Sequence, residues 1–326
     1  VTVSVVIPTY NHRAYVLDAL DSVFRQTFTD YEVIVVNDGS PDDTGEVLRP
    51  LAEAGRIRYI EQPNAGQAAA RNRGIAEARG EFIALLDDDD LWPPDKLAWQ
   101  TAALVANPTW TMVTGYSEVL GAGPASKHPE SLPAPHPGKR LFAACNWIRS
   151  PGQVLIRREA VRRIGLFDPA IRGADDWDLY IRLAEAGPVV FVDRLALYYR
   201  LHASNASADC WGMFTNVRRV YRKHFARPAS ASDVEGQSEY RHVTLAHYHS
   251  QLLAQGDGHR VAGRPWEAAK AYARAVYVRP SRAALFVSLR RTLPLVVPKW
   301  LLRAVAPVLP NRWKSAARTH RTPGQP

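Results

Sequence analysis

Short apolar runs alternate with helical periodicity through the first two thirds of the chain. Val3 to Pro8 is an apolar stretch but for Ser4, and Thr9-Tyr10-Asn11 turns it toward a helix with Leu17, Leu20, Val23 and Phe24 on one face. The pattern then predicts a strand over Tyr31 to Asn37, a helix around Thr44 to Ala54, a strand over Ile57 to Glu61 and a helix from Gln67 to Ala78. The run Phe82 to Leu86 is short enough for a buried strand and ends in four consecutive acids, Asp87 to Asp90. Beyond it come an amphipathic helix through Leu97 and Leu104 and a strand near Thr111 to Val119. The segment Gly121 to Gly138 carries five prolines and reads as a mobile loop or lid. A strand over Gln153 to Arg157, a helix over Arg158 to Ile164, a helix opened by Asp175-Asp176, and strands Val189 to Val192 and Ala196 to Arg200 complete this part. Such alternation predicts an α/β domain over residues 1–205 with a mostly parallel sheet, whose ligands gather beyond the carboxyl ends of the strands.

From residue 206 to 326 the strand signal stops. Helices over Asp209 to Phe225, Tyr240 to Gln255 and Trp266 to Val278, separated by an Ala/Ser-rich linker, predict an all-helical C-terminal region. Leu285 to Leu309 is apolar but broken by Arg290, Arg291, Pro294, Pro298, Lys299 and Arg303, which argues against a membrane span. Mixed with Trp300 and Trp313, it suits a segment lying in a membrane interface.

Charge sharpens that division. Of the net +9, the residues from Arg260 onward contribute +13, with fourteen Lys/Arg against Glu267 alone, so the preceding residues carry −4. A mildly acidic body with a cationic tail points to an anionic membrane surface as partner of residues 285–321, and away from nucleic acid. Only Cys145 and Cys210 occur, without a metal-binding spacing, so a reducing compartment is expected and a disulfide framework is not. No secretory signal is visible at the N-terminus, and a cytoplasmic, membrane-peripheral location is the expectation.

The acid quartet is the first candidate for chemistry. Adjacent carboxylates repel, and a divalent cation is the simplest compensating partner, although an acidic turn capping the next helix is the plainer alternative. There is no GxGxxG after the first strand, no GxxxxGK[ST] and no GxSxG, so dinucleotide oxidoreductases, P-loop enzymes and serine hydrolases lack their key parts.

Five stretches, in order, then converge: Val5-Val6-Ile7-Pro8-Thr9-Tyr10-Asn11; Val35-Val36-Asn37-Asp38-Gly39-Ser40; Asn64-Ala65-Gly66 with Ala70-Arg71-Asn72-Arg73-Gly74; Leu86-Asp87-Asp88-Asp89-Asp90; and Asp175-Asp176-Trp177-Asp178-Leu179. Together they resemble family 2 glycosyltransferases of the GT-A fold. The resemblance implies a nucleotide-diphosphate sugar donor of the uridine type, inversion of the anomeric centre, and manganese or magnesium as cofactor. It places Pro8, Thr9, Tyr10, Asp38 and Asn64 in the nucleotide pocket and makes Arg71 a diphosphate clamp. It makes Asp87 and Asp89 the Asp-x-Asp element, with Asp89 on the metal, Asp87 near the ribose or metal, and Asp88 standing where the family carries a small residue. Asp176 matches the catalytic base and Asp175 the acid before it, while Arg200 and His202 resemble an element that closes over diphosphate or metal. Trp92, Trp147 and Trp177 are candidate sugar platforms or core residues. The processive Gln-x-x-Arg-Trp element is missing, so transfer of a single sugar to a glycan or lipid-linked acceptor is expected. A catalytically dead sugar-nucleotide-binding module and a sugar nucleotidyltransferase are the alternatives, the latter lacking its Gly-rich basic loop after the first strand.

Overall fold

A computed structural model describes residues 1–121, 139–202, 205, 209–226, 231–280 and 291, with side chains 231–235 left aside. The Gly121 to Gly138 loop and the 285–321 tail therefore lie outside the described residues, apart from Gly121 and Arg291. The chain forms two compact units, Val1–Ala208 with Thr215–Gln237, and Asp209–Phe214 with Ser238–Pro326. Residues 215–237, assigned from sequence to the helical region, thus cluster with the sheet.

The larger unit is an α/β domain around a seven-stranded sheet. Its strands are β1 (Val3–Thr9), β2 (Tyr31–Asn37), β3 (Arg58–Glu61), β4 (Phe82–Leu85), β5 (Met112–Val119), β6 (Val154–Arg157) and β7 (Val189–Tyr199), in spatial order β3-β2-β1-β4-β6-β5-β7. All seven residues of β1 and all four of β4 are buried, which is why β4 is wholly apolar and β1 is apolar but for Thr9 and Ser4, whose hydroxyl is taken up by Glu32 and the Gly80 amide: both faces are covered. Neighbouring strands run parallel except β6, which is antiparallel to both β4 and β5.

The two strands expected at Val189 to Val192 and Ala196 to Arg200 are one. Thr114 pairs with Phe191 and Tyr116 with Leu195, so β7 carries extra residues opposite β5 and bulges where Asp193 and Arg194 are exposed. The bulge brings the Arg194 carbonyl so close that a Cβ on Gly115 would sit 2.2 Å from its oxygen.

Helices α1 (Arg13–Phe24), α2 (Thr44–Glu53), α3 (Gln67–Glu77), α4 (Lys96–Ala106), α5 (Arg158–Ile164) and α6 (Asp175–Ala186) connect the strands. In α1 the buried stripe is Val16, Ala19, Leu20 and Val23, while Leu17 is 42% exposed, so the apolar face lies one position from that read in sequence. Helix α7 (Cys210–Phe225) is anchored in this unit by its last turn: Lys223 Nζ and His224 Nε2 lie 2.8 and 2.7 Å from Asp178 Oδ1. Arg182 adds a second cation beside Lys223, and with the His224 hydrogen bond they hold the fully buried Asp178 carboxyl well below the usual range despite its burial. Part of the expected Ala/Ser-rich linker is helix α8 (Ala231–His242), where Gly236 packs on Ala143 at a spacing that leaves no room for a Cβ.

The smaller unit contains α9 (Thr244–Val261) and α10 (Pro265–Val278) around Phe214, Leu252, Ala275 and Val278. Gly256 of α9 allows the close approach of the Tyr272 ring, whose hydroxyl donates to Asp257. No helix among the described residues is long and apolar enough to cross a membrane.

Candidate active site

Parallel β1 and β2 end side by side, Thr9 opposite Asn37, and β4 ends beside β1. Their outgoing loops therefore meet at one sheet edge. There Pro8 to His12, Asp38, Asn64, Gly66, Gln67, Ala70 and Asp88 line a cavity of about 370 Å³. Tyr10 is 47% exposed at its mouth, whereas Thr9 is buried. Asp38 shapes the wall: one carboxylate oxygen accepts from Gln62 Nε2 and the Ala65 amide at 2.7 and 2.9 Å, and the other from the Gly66 amide at 2.8 Å. Asn37 braces the same turn by donating to Tyr59 and accepting from the Ser40 amide.

The four acids after β4 diverge, each toward a different element. Asp87 Oδ1 accepts from Arg71 Nη2 at 2.6 Å, Asp88 Oδ1 lies 2.8 Å from His12 Nδ1, and Asp89 Oδ2 lies 2.8 Å from His202 Nε2. Asp90 is fully buried, accepting from the Ser150 hydroxyl and the Arg200 amide. Burial, with the charges of Asp89 and Asp87, pushes the Asp90 carboxyl up to about 8. Each acid thus has its own protein partner, although repulsion among them still raises Asp89 and Asp90.

Arg71 is not presented to the pocket as a diphosphate clamp. It is 2% exposed, and while Nη2 bonds Asp87, Nη1 donates to Asp175 Oδ2 at 2.9 Å. Both arms of the guanidinium are committed, so it bridges the end of β4 to the start of α6. That bridge brings Asp175, 88 residues beyond Asp87 in the chain, to the acid quartet, with Asp176 next to it in sequence. Asp87 correspondingly bonds Arg71 and, at 3.3 Å, Gln67 Nε2, and does not belong to the group of donor atoms among the described residues able to hold a cation. That group is His12, Asp88 and Asp89, whose ligand atoms lie within 4.8 Å of one another, in place of the expected Asp87, Asp89 and His202. Asp88 is 5% exposed and its Oδ2 is buried without a hydrogen-bond partner, as a cation ligand would be. Two carboxylates and an imidazole suit a divalent first-row ion, so the residues present fit the expected metal.

His12 was not singled out in the sequence. Its position in the loop after a buried strand was the only available signal. Burial raises the Asp88 carboxyl, opposed by His12, whose own pKa is raised chiefly by the hydrogen bond to Asp88. Burial and the charges of Asp87 and Asp88 raise Asp89, opposed by His202. Arg200 clamps the quartet to the end of β7 through Nε to the Asp89 carbonyl at 2.9 Å, reaches Asp18 with Nη2, and lies over the Tyr15 ring.

Asp176 sits in the first turn of α6, 8% exposed. Its Oδ1 accepts from the Trp177 amide at 2.7 Å and its Oδ2 from Asn146 Nδ2 at 3.0 Å. Burial, then the charge of Asp175, pushes its carboxyl up to about 7. Asp175 is itself raised by burial against the pull of Arg71. Trp92 and Trp177 are 3% and 1% exposed and donate to the Gly152 and Phe142 carbonyls, so burial removes both as sugar platforms; Trp147 is 36% exposed. Asn72 and the Phe167 backbone exchange two hydrogen bonds of 2.9 Å, fastening the Gly165 to Asp168 turn to α3.

A mostly parallel sheet with a pocket at its strand ends, an acid of the run after β4 in that pocket's lining and a buried carboxyl raised to about 7 at the start of α6 describes an α/β protein with a ligand pocket at the carboxyl edge of its sheet. The family model described as glycosyl transferase family 2 matches residues 4–165. A putative teichuronic acid biosynthesis glycosyltransferase of Bacillus subtilis, TuaG, is 32% identical over 229 residues, covering 68% of this chain and 87% of that protein. An uncharacterized glycosyltransferase of Rickettsia felis is 30% identical over 210 residues, 63% of this chain and 35% of that protein. A second, from Rickettsia conorii, is likewise matched over 35% of its length, so the chain's match spans about a third of these two relatives. S. aureus TarS 1–349 in complex with UDP-GlcNAc shares the fold with a TM-score of 0.61 at 17% identity, over 98% of this chain and 92% of that one. The mannosyltransferase PcManGT from Pyrobaculum calidifontis in complex with GDP-Man and Mn2+ gives 0.58 at 21% identity, over 97% and 82%. The chain belongs to glycosyl transferase family 2, and its fold is GT-A.

Proposed function

We propose that this chain is a metal-dependent inverting glycosyltransferase that moves one sugar from a nucleotide-diphosphate donor, a UDP-sugar in the first instance, to a hydroxyl of a glycan or lipid-linked acceptor. The observation that carries it is the Asp87–Arg71–Asp175 bridge, which ties the acid run after β4 to the first turn of α6, where the buried Asp176 carboxyl is raised to about 7. Pro8, Thr9, Tyr10 and Asn64 wall the space for base and ribose, and Asp38 keeps that wall in shape. The acceptor oxygen attacks the anomeric carbon while its proton passes to the Asp176 carboxylate, and the bond to the diphosphate breaks with the electron pair leaving on the nucleotide. A base with a pKa near 7 is half ionised at neutral pH and still basic enough to take that proton. Asn146 and the Trp177 amide hold both oxygens of the ionised form in place. Asp88 and Asp89 would hold the divalent cation, which when bound supplies charge neutralisation for the departing diphosphate.

The donor class draws support from TarS, solved with UDP and UDP-GlcNAc, and from PcManGT, solved with GDP-Man and Mn2+. TuaG's assignment to teichuronic acid biosynthesis supports a role in cell-surface polysaccharide assembly. The cationic apolar tail, residues 285–321, suits docking on an anionic membrane at the cytoplasmic face, and deleting it should release the protein from anionic liposomes while sparing donor hydrolysis.

The test is a screen of nucleotide sugars with Mn2+ or Mg2+. Donor hydrolysis should appear with at least one and vanish in Asp89→Ala. Absence of nucleotide binding with every divalent ion would refute the assignment, and release of pyrophosphate from a nucleoside triphosphate would favour a nucleotidyltransferase.

A further inference from the structure

Asp88 adds a carboxylate to the middle of the acid run, and the structure shows what faces it. β1 and β4 are adjacent and parallel, with Val6 opposite Leu85, so the loop leaving β1 and the acids leaving β4 emerge together. His12 belongs to that loop, and its Nδ1 lies 2.8 Å from Asp88 Oδ1, while Asp88 Oδ2 is buried without a hydrogen-bond partner. Asp89 adds a further oxygen within 4.8 Å of both. A histidine serving only to neutralise Asp88 would leave that second oxygen with no more than the nearby Thr9 hydroxyl, itself buried without a formed hydrogen bond, whereas a cation shared by the three side chains uses it.

We propose that His12 is itself a cation ligand, and that the His12, Asp88 and Asp89 site therefore selects manganese-like ions over magnesium. Magnesium takes oxygen ligands in strict octahedral geometry and keeps its waters, while an imidazole nitrogen gains affinity along the first-row series from manganese upward. One nitrogen among two carboxylates is enough to tilt the site. Because His12 also lines the pocket, the same residue joins the cation to the nucleotide wall. The inference rests on reading this as the transferase's divalent-ion site, but is tested with the metal alone.

Mn2+ and Mg2+ are titrated into the full chain without nucleotide, with competition giving both affinities, and Mn2+ is followed by pulsed EPR for coupling to imidazole 14N. Wild type should prefer Mn2+ by at least about tenfold, the scale on which ligand surroundings tune metal affinity. His12→Ala should lose most of that preference, with Mg2+ affinity changed less than about threefold. The nitrogen coupling should survive in His202→Ala and disappear in the His12→Ala/His202→Ala double variant, while His12→Gln, which keeps a polar side chain, should resemble His12→Ala in Mn2+ preference. Unchanged Mn2+ affinity in a folded His12→Ala, or no nitrogen coupling in His202→Ala, overturns the assignment. Manganese bound through His12 by a protein that transfers no sugar would sink the proposed activity and leave this inference intact.

Discussion

Replacing Arg71 with Met keeps most of the buried volume and removes the cation that joins the two acid clusters. In the native protein the guanidinium is 2% exposed and makes ionic hydrogen bonds of 2.6 Å to Asp87 and 2.9 Å to Asp175. The Asp175 side chain is 3% exposed and has no water to fall back on, while Asp87, at 18%, has some. Removing one member of such a buried group costs about 3–5 kcal/mol, because the remaining carboxylate is left charged in a poor solvent. Asp175 can escape by taking up a proton. Its folded-state pKa already lies above the unfolded value and would rise further without Arg71, so the penalty is fully present at high pH and shrinks as pH falls through that raised pKa. Each pH unit in that window is worth about 1.4 kcal/mol. Urea unfolding at pH 8 and pH 5, followed by circular dichroism, should therefore show a loss of about 3–5 kcal/mol in the first buffer and roughly 1–2 in the second. Arg71→Met/Asp175→Asn should recover at least half of the loss at pH 8. A pH-independent loss, or one below about 1 kcal/mol, would mean that Arg71 does not hold the site together.

Sugar transfer should rise with pH along a limb centred near 7, since the ionised Asp176 carboxylate is the active form, and Asp176→Asn should abolish transfer while nucleotide binding persists; a flat profile from pH 5.5 to 8.5 would exclude Asp176 as base. Asn146→Ala removes a hydrogen bond to that carboxylate, so the limb should move about one unit alkaline, read from kcat/KM against pH, and an unmoved limb would deny Asn146 a positioning role. Lys96 is fully buried, and burial drives its pKa well down even though it lies 4.1 Å from the Trp92 ring centroid and donates to the Val154 carbonyl. The unfolded chain therefore binds a proton that the folded one resists, and Lys96→Met should raise stability by on the order of 1–3 kcal/mol at pH 7, the gain shrinking toward pH 10. Destabilisation at every pH would show instead that the carbonyl and ring contacts outweigh the burial of the amine.

Much of the architecture was legible because its causes are local. A strand covered on both faces is mostly apolar, so β4 and, but for Ser4 and Thr9, β1 announce themselves, and a parallel arrangement forces the polar residues that follow each strand onto one edge. Local patterning misleads where a neighbour supplies the missing information: the polar break at Asp193 and Arg194 is a bulge because β5 holds the strand together across it. In α1 the stripe is shifted because burial depends on the sheet beneath it, and periodicity alone leaves a one-position ambiguity.

From the order of residues alone came the α/β class, the sheet edge bearing the pocket, the acid quartet and the acids that open α6. The division of labour among four identical neighbours belongs to tertiary structure. Asp87, Asp88, Asp89 and Asp90 are joined to Arg71, His12, His202 and Ser150, which lie 16, 76, 113 and 60 residues away along the chain. A carboxylate's role is set by the charge and solvent around it, and those arrive only when distant segments pack. That is why Arg71, read as a ligand for phosphate, is a buried strut, and why His12 joins the candidate cation site only in three dimensions.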